Sequence, residues 1–272
     1  MSQNKDKFLN LFGIIIIGIY LFPVYWMFNT SLKTNNEIFA NPPTFFPHVV
    51  TILSYIEQSK GILQYFFNSM YTSIFTTLLT LILAVPAAYG IAKYRIKGRG
   101  IILLSFLVAQ MLPGAVLLTP LFISFKSAGI LNTQYAPILA NATATIPFSI
   151  IMLRPYFLNV PSELEESARI DGCNNIMSFL RIVVPISYPV LIICGALSFL
   201  MSWGNLIFPL TFLTDENKWP MTVTIYRAIG QYGTQWNDLM AFATIVTLPV
   251  IIMFMFAQKY LINGLTSGAL KE

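Results

Sequence analysis

The side chains able to carry acid–base, metal or nucleophilic chemistry are few: 11 Asp and Glu, one histidine and two cysteines in 272 residues. His48 has no acidic or cysteine residue near it in sequence and reads as a surface histidine. Cys173 and Cys194 lack C-x-x-C spacing and a neighbouring histidine, which leaves metal and disulfide readings without support. Ser and Thr recur in apolar stretches without His or Lys partners to activate them, and neither H-E-x-x-H nor G-x-S-x-G occurs. The phosphate-cradling G-x-x-x-x-G-K-[ST] does not occur either. The expectation is a chain that is not an enzyme, with no catalytic residue, no metal site and no cofactor of its own. One polar, helix-patterned island remains, residues 161–185, PSELEESARIDGCNNIMSFLRIVVP.

Ser162 with Glu165 three residues on reads as a capping box behind Pro161. Glu163, Glu165 and Glu166 load the first turn, and Gly172 suits the C′ position. A helix of about nine residues, roughly 14 Å, is marginal alone in water, and Leu164 with Ala168 gives it only a thin apolar stripe. It must pack on something. Asn174 or Asn175 caps a second helix, in which Ile176, Phe179, Leu180 and Val183 recur at helical spacing until Pro185 interrupts it. The physics of this helix-turn-helix fits an amphipathic connector resting on a lipid surface as well as a docking element.

The elements that must hold the island are membrane spans. The chain is 56% hydrophobic and only 10% charged, with a mean hydropathy of +0.69, far more apolar than a soluble domain of this size. A bilayer core needs about 20 apolar residues per helix, and six uncharged stretches reach that: 8–28, 61–92, 100–125, 127–153, 182–214 and 239–258. Residues 38–56 contain Pro42, Pro43, Pro47 and His48 and belong in a loop. The first stretch is too long for a signal peptide's apolar region, and no small-x-small cleavage site follows it. The fold class expected is an all-α membrane protein of six transmembrane helices. Placing both termini inside puts 11 of the 16 Lys and Arg on the inner face, which favours an N-in, C-in topology. The net charge of +5 follows from that bias. Beyond the short 93–99 loop there is no basic cluster for a nucleic acid.

The island's spacing is specific. Glu166-Ser167-Ala168, three residues, Gly172, nine residues, then Ile182-Val183-Val184-Pro185 resembles the EAA loop of ABC importer permeases, with Ser167 and Val184 as small departures from the family pattern. PAAYGIAKYRIKGRG, the Pro-rich segment after the first span and the tail QKYLINGLTSGALKE are similar to the carbohydrate-uptake, maltose-type members of that family. The resemblance covers nearly the whole chain. It implies a type I ABC importer permease fold, with residues 1–60 as first span and external loop and 61–262 as a five-helix permease core. Within that core, 159–185 would be the cytoplasmic coupling loop, and 263–272 would form a cytoplasmic tail. It implies ATPase coupling through Glu165, Glu166, Ser167, Ala168, Asp171 and Gly172. The implied partners are two ATP-binding subunits carrying ATP-Mg, a second homologous permease subunit and an extracytoplasmic solute-binding protein. That protein would dock near Tyr232 and Trp236, and the cargo would be a sugar or related polyol.

Polar lines cross three spans: Ser69, Thr72, Ser73, Thr76, Thr77 and Thr80 in the second; Asn141, Thr145 and Ser149 in the fourth; Gly195, Ser198, Ser202 and Asn205 in the fifth. Small-residue helix packing accounts for them. A translocation path past Thr76, Asn141, Ser202 and Asn205 is the functional alternative, and their neutrality suits a hydroxyl-rich solute. Pro113-Gly114 and Pro120 are expected to break the third span, and Pro137 and Pro147 to bracket the fourth. A stand-alone secondary transporter is the competing function. It would show repeated halves and ionisable midplane groups, which this sequence does not.

Overall fold

The computed structural model describes residues 2–231 and 235–269, and places the side chains of 9–56, 61–227, 229 and 235–260. Among the described residues there is no strand. The chain opens with α1 (Ser2–Ser31), a short α2 (Asn35–Ile38) and the 41-residue α3 (Leu53–Lys93). Residues 39–52 between them are non-helical, as their prolines dictate.

The third expected span is a broken one. α4 (Arg99–Met111) and α5 (Leu118–Ser127) meet at 102° across a 3-10 turn, Gly114–Leu117. Leu112, which precedes Pro113, is extended at φ −75° and ψ 126° because the proline ring excludes the helical conformation there. Pro120 causes no break. It sits in the first turn of α5, where no i−4 bond is forfeited.

α6 (Tyr135–Leu158) starts later than the expected residue 127; Pro137 lies in its first turn, but the helix runs on through Pro147 and Pro155, so Pro137 and Pro147 do not bracket it. After it come α7 (Ser162–Ile170), α8 (Asn175–Ser178), a π turn at Phe179–Val183 and α9 (Val184–Ile186). Pro185 has no N–H to return to the preceding turn, and the backbone widens into the π turn just before it. α10 (Tyr188–Trp203) leaves at 78° to the helical stretch before it, so the fifth span is also bent. α11 (Ile207–Phe212), α12 (Met221–Gln231) and α13 (Trp236–Ala269) complete the chain. Four helices cross-qualify by length and hydropathy, at Leu9–Ser31, Gly61–Lys93, Tyr135–Leu158 and Trp236–Tyr260. Counting each bent pair as one span gives the six expected.

By compactness the chain falls into two units. The first is Met1–Leu63 with Thr224–Pro249. Lys33 is buried in it, its ammonium donating to the Thr44 carbonyl and lying 4.9 Å from the centre of the Trp26 ring. The backbone N–H of Thr51 returns to the Leu32 carbonyl at 2.9 Å, and Asn237 Nδ2 donates to Ser54 Oγ at 3.0 Å. Glu37 accepts from the backbone N–H of His48 at 2.8 Å, which holds its carboxyl below the usual carboxylate range; the contact uses the histidine's backbone and not its ring. None of the most apolar 18-residue stretch of α1 is buried within its own unit, although Asn29, Thr30 and Ser31 at the end of the helix are.

The second unit is Gln64–Val223 with Val250–Glu272. Here α6 is the axis, packed by α4, α10 and α11. Gln110 Nε2 donates to the Ala144 carbonyl at 2.7 Å, tying α4 to α6. Gly195 lets α10 approach α3 closely, since a Cβ there would lie 3.3 Å from Leu81 Cδ1 and 3.7 Å from Thr77 Cγ2. Gly195→Ala is expected to be absorbed by a small movement of Leu81. Gly195→Leu should overpack the contact and cost about 1–3 kcal/mol, read as a drop in thermal midpoint of the purified protein.

Candidate functional site

The polar island folds as a helix and turn anchored by one of its own acids. α7 is closed by a Schellman arrangement: Cys173 N–H donates to the Ala168 carbonyl at 2.9 Å and Gly172 N–H to that of Arg169 at 3.1 Å. Gly172 supplies the left-handed residue this requires, at φ +88°. Asn174 caps α8 by accepting from Met177 N–H at 2.8 Å. The expected capping box does not form. Pro161 is the N-cap, Ser162 is already helical, and no side chain caps the start.

Glu165 is turned the other way. It is 5% exposed, and its Oε2 accepts from the Tyr89 hydroxyl at 2.6 Å while Oε1 lies 3.1 Å from Lys93 Nζ. Lys93 also donates to the Val160 carbonyl at 2.6 Å, just ahead of α7. Tyr89 is held in turn by Phe179 of the π turn, ring centroids 4.6 Å apart, and by Phe157 of α6 at 5.8 Å. The inward face of α7 is therefore Glu165 with Ala168, replacing the Leu164 and Ala168 stripe expected. Leu164 is 39% exposed. A buried carboxylate is tolerable because one oxygen accepts from a hydroxyl and the other, though without a hydrogen bond, is ion-paired with an ammonium.

The remaining candidates separate by face. Glu166, Ser167, Asp171 and Gly172 are exposed, while Glu165 and Ala168 point into the chain. Ile170, which the sequence reading did not single out, is 87% exposed on the same outer side, and Ile176 and Leu180 follow it at 71% and 57%. The turn thus exposes charges of both signs, Glu166, Arg169 and Asp171, beside apolar side chains that no described residue of this chain covers. The Lys93 and Tyr89 anchors were also missed. Their i, i+4 spacing at the C-terminal end of α3 puts them on one face, but the acid they meet is 76 residues from Tyr89, and no local pattern joins them.

The polar lines of the spans converge as expected. Ser202 Oγ donates to Thr76 Oγ1 at 3.3 Å, Asn141 Nδ2 to Ser202 Oγ at 3.2 Å, and the hydroxyls of Thr80 and Thr145 meet at 2.6 Å. Ser149 and Ser198 pair at 3.3 Å. Thr76, Asn141 and Ser202 are buried and use their bonds on each other, so in this conformation they pack helices. Asn205 stands apart, its Oδ1 accepting from Phe208 N–H at 3.0 Å at the start of α11. Of the two aromatics expected to face a docked protein, Trp236 is 39% exposed and borders a cavity of about 200 Å³ with Trp26 and Lys33. Tyr232 lies outside the described residues. Trp219 belongs to the interior, its Nε1 donating to the Leu213 carbonyl at 3.2 Å. Among the described residues no His, Cys, Asp or Glu group could hold a metal ion.

The anchor predicts non-additive energetics. Lys93→Met and Glu165→Leu should each destabilise the protein, because each strands the other's charge, and the double variant should recover part of the loss. The coupling expected from a double-mutant cycle is about 0.5–3 kcal/mol. Glu166→Gln, on the exposed face, should change stability by no more than about 0.5 kcal/mol. Chemical unfolding of the four proteins checks both.

Residues 80–267 match the family model described as binding-protein-dependent transport system inner membrane component. The chain is 32% identical over 268 residues to the arabinooligosaccharides transport system permease protein AraQ of Bacillus subtilis, covering 97% of this chain and 95% of that one. It is 30% identical over 262 residues to the diacetylchitobiose uptake system permease protein DasC of Streptomyces coelicolor, covering 95% and 94%. Its fold is similar to that of a chain in the crystal structure of a bacterial ABC transporter involved in the import of the acidic polysaccharide alginate. The TM-score is 0.79, with 22% identity and coverage of 94% and 97%. Six apolar spans, a polar helix-turn-helix set between the fourth and fifth, and these matches agree: the chain belongs to the binding-protein-dependent transport system inner membrane components, the permease subunits of ABC importers.

Proposed function

We propose that this permease subunit imports a sugar or related polyol, taking its energy from separate ATPase subunits that grip the turn around Gly172. The observation that carries the coupling role is the split of α7 into two faces. Glu165 and Ala168 fasten it to its own chain, while Glu166, Ser167, Asp171 and the 87%-exposed Ile170 are left for another protein. An isoleucine so exposed beside acids is unsuited to remain in water and suited to seat in a groove. The Lys and Arg bias puts this loop, and both termini, on the cytoplasmic side. The saccharide class rests on relatives named for arabinooligosaccharide and diacetylchitobiose transport. It is also supported by the groups buried along the spans at Thr76, Thr80, Asn141, Thr145 and Ser202, hydroxyls and an amide that bond to one another without an ionised partner.

In this reading two ATP-binding subunits, each with ATP-Mg, close and displace the coupling loops of this chain and of a second permease subunit. The spans then tilt from inward-facing to outward-facing. A loaded extracytoplasmic binding protein favours the outward-facing state, so ATP must reciprocally tighten its docking. The expected docking region is the external segment around Trp236. α7 cannot move without the inner end of α3, because Lys93 and Tyr89 join them.

Two outcomes test the proposal. Ile170→Asp combined with Glu166→Lys should reduce co-purification of the ATPase with tagged permease at least fivefold, with the permease itself still inserted. Undiminished recovery with transport intact would place the contact elsewhere. Reconstituted alone, the chain should neither hydrolyse ATP nor accumulate sugar. Accumulation driven by a proton or sodium gradient would favour a secondary transporter instead.

A further inference from the structure

We infer that the outer end of the second unit carries a saccharide-binding subsite, an open hollow of about 470 Å³ formed by Gln64, Asn68, Tyr71, Tyr135, Asn217 and Lys218, selective for neutral hydroxyl-bearing ligands. The inference rests on the importer reading for its biological sense, though not for its geometry. Its volume falls in the range of about 300–1,000 Å³ typical of small-molecule sites. Gln64, Asn68 and Tyr71 stand at i, i+4 and i+7 on α3 and share one face.

The hydrogen-bond inventory sets the ligand class. Asn68 Nδ2 is committed to the carbonyls of Asn217 at 2.8 Å and Trp219 at 3.0 Å, and Gln64 Nε2 to that of Asn217 at 3.2 Å. Asn68 thus has both N–H groups engaged and its Oδ1 left as an acceptor, while Gln64 keeps one N–H and its Oε1. Gln134 braces the floor, donating to the Lys218 carbonyl at 2.8 Å and accepting from Thr72 at 3.1 Å. The hydroxyls of Tyr71 and Tyr135 add groups that donate or accept. A lining of amides and phenol hydroxyls that both donate and accept suits a ligand of the same character, which a polyhydroxylated solute is.

Charge selects against an anion. Among the described residues Lys218 is the one ammonium lining the hollow, and its charge is balanced: Nζ donates to the Asn132 carbonyl at 2.9 Å and pairs with Asp215 at 3.4 Å. The backbone N–H of Asn217, with Lys218 behind it, holds the Asp215 carboxyl below the usual carboxylate range, so the pair persists at neutral pH. A carboxylate, sulfonate or phosphate would meet fixed carbonyl oxygens and a neutralised cation. The rings suit a pyranose. Tyr135 is 61% exposed and Tyr71 39%, the latter steadied by Phe75 at 4.4 Å between centroids. The weakly positive C–H face of a sugar rests well on the negative face of an aromatic ring.

The test is saturation-transfer NMR on the assembled transporter in nanodiscs, without binding protein. The probes are trehalose, cellobiose and maltotriose, with glucuronate as the anionic control. At least one neutral saccharide should receive saturation, with glucuronate at a fifth of its signal or less. Tyr71→Ala with Tyr135→Ala should cut the neutral signal at least fivefold at an unchanged melting temperature. Tyr71→Phe with Tyr135→Phe, which keeps the packing, should cut it at least twofold. Silence from all three neutral probes, equal signal from glucuronate, or a signal indifferent to both double variants overturns the subsite. Loss of binding-protein affinity in the variants with the saccharide signal unchanged would assign the hollow to protein docking and also overturn it. The importer reading fails separately, if the loaded binding protein does not stimulate ATP hydrolysis by the wild-type assembly.

Discussion

The contact on which the Gly172 end of this protein depends is a carboxylate taken out of water. Glu165 would be costly to bury alone, and its burial is made possible by Lys93 at 3.1 Å and the Tyr89 hydroxyl at 2.6 Å. Those two residues belong to the last turns of a span, and the acid to a nine-residue helix that has little apolar surface of its own. A helix so short gains its stability from what it packs on. Here that support is electrostatic on one side and aromatic on the other, because Tyr89 also stacks toward Phe179 in the π turn. Four elements, α3, α6, α7 and the π turn, therefore share one tyrosine.

That arrangement explains why α7 can be both exposed and rigidly placed. A helix lying on lipid would turn its acids to water and its apolar residues inward. This one does the reverse at two positions, burying Glu165 and leaving Ile170 out. The inversion makes sense only if the outer face is completed by another surface. Lipid headgroups could cover an isoleucine, but they offer nothing to the adjoining Glu166 and Asp171, whereas a protein groove can meet both.

Much of this was legible in the sequence, and the failures have physical causes. Span number came from hydropathy, because a membrane imposes one length on every crossing helix. Gly172 was legible because a Schellman turn needs a left-handed residue, and Asn174 because an exposed helix start needs an acceptor. The bends at 102° and 78° were only half legible: Pro113 marked the first, yet Pro147 and Pro155 are chemically the same residue and leave α6 continuous. What differs is the support around them, since α6 is enclosed by α4, α10 and α11 while the Leu112 to Gly114 corner is exposed. The capping box failed for a related reason. Ser162 and Glu165 have the right spacing for a local exchange of hydrogen bonds, but a cation and a phenol from α3 make a stronger claim on the carboxylate.

The same competition between local and distant partners separates the two polar regions of the second unit. In the spans, Thr76, Asn141 and Ser202 have no water to satisfy them, so they bond to each other and become packing. At the proposed subsite, the amides of Gln64 and Asn68 donate to backbone carbonyls and keep polar atoms unpaired, an acceptor on each and one N–H on Gln64. Polar residues that are fully paired hold helices together, and polar residues that are half paired in an accessible hollow are available to a ligand. By that criterion the groups open to a ligand in this conformation are those of the proposed subsite and not those buried between the spans. The buried line could join them only if the helices that now seal it move apart, which is the movement that the Glu165 anchor is placed to transmit.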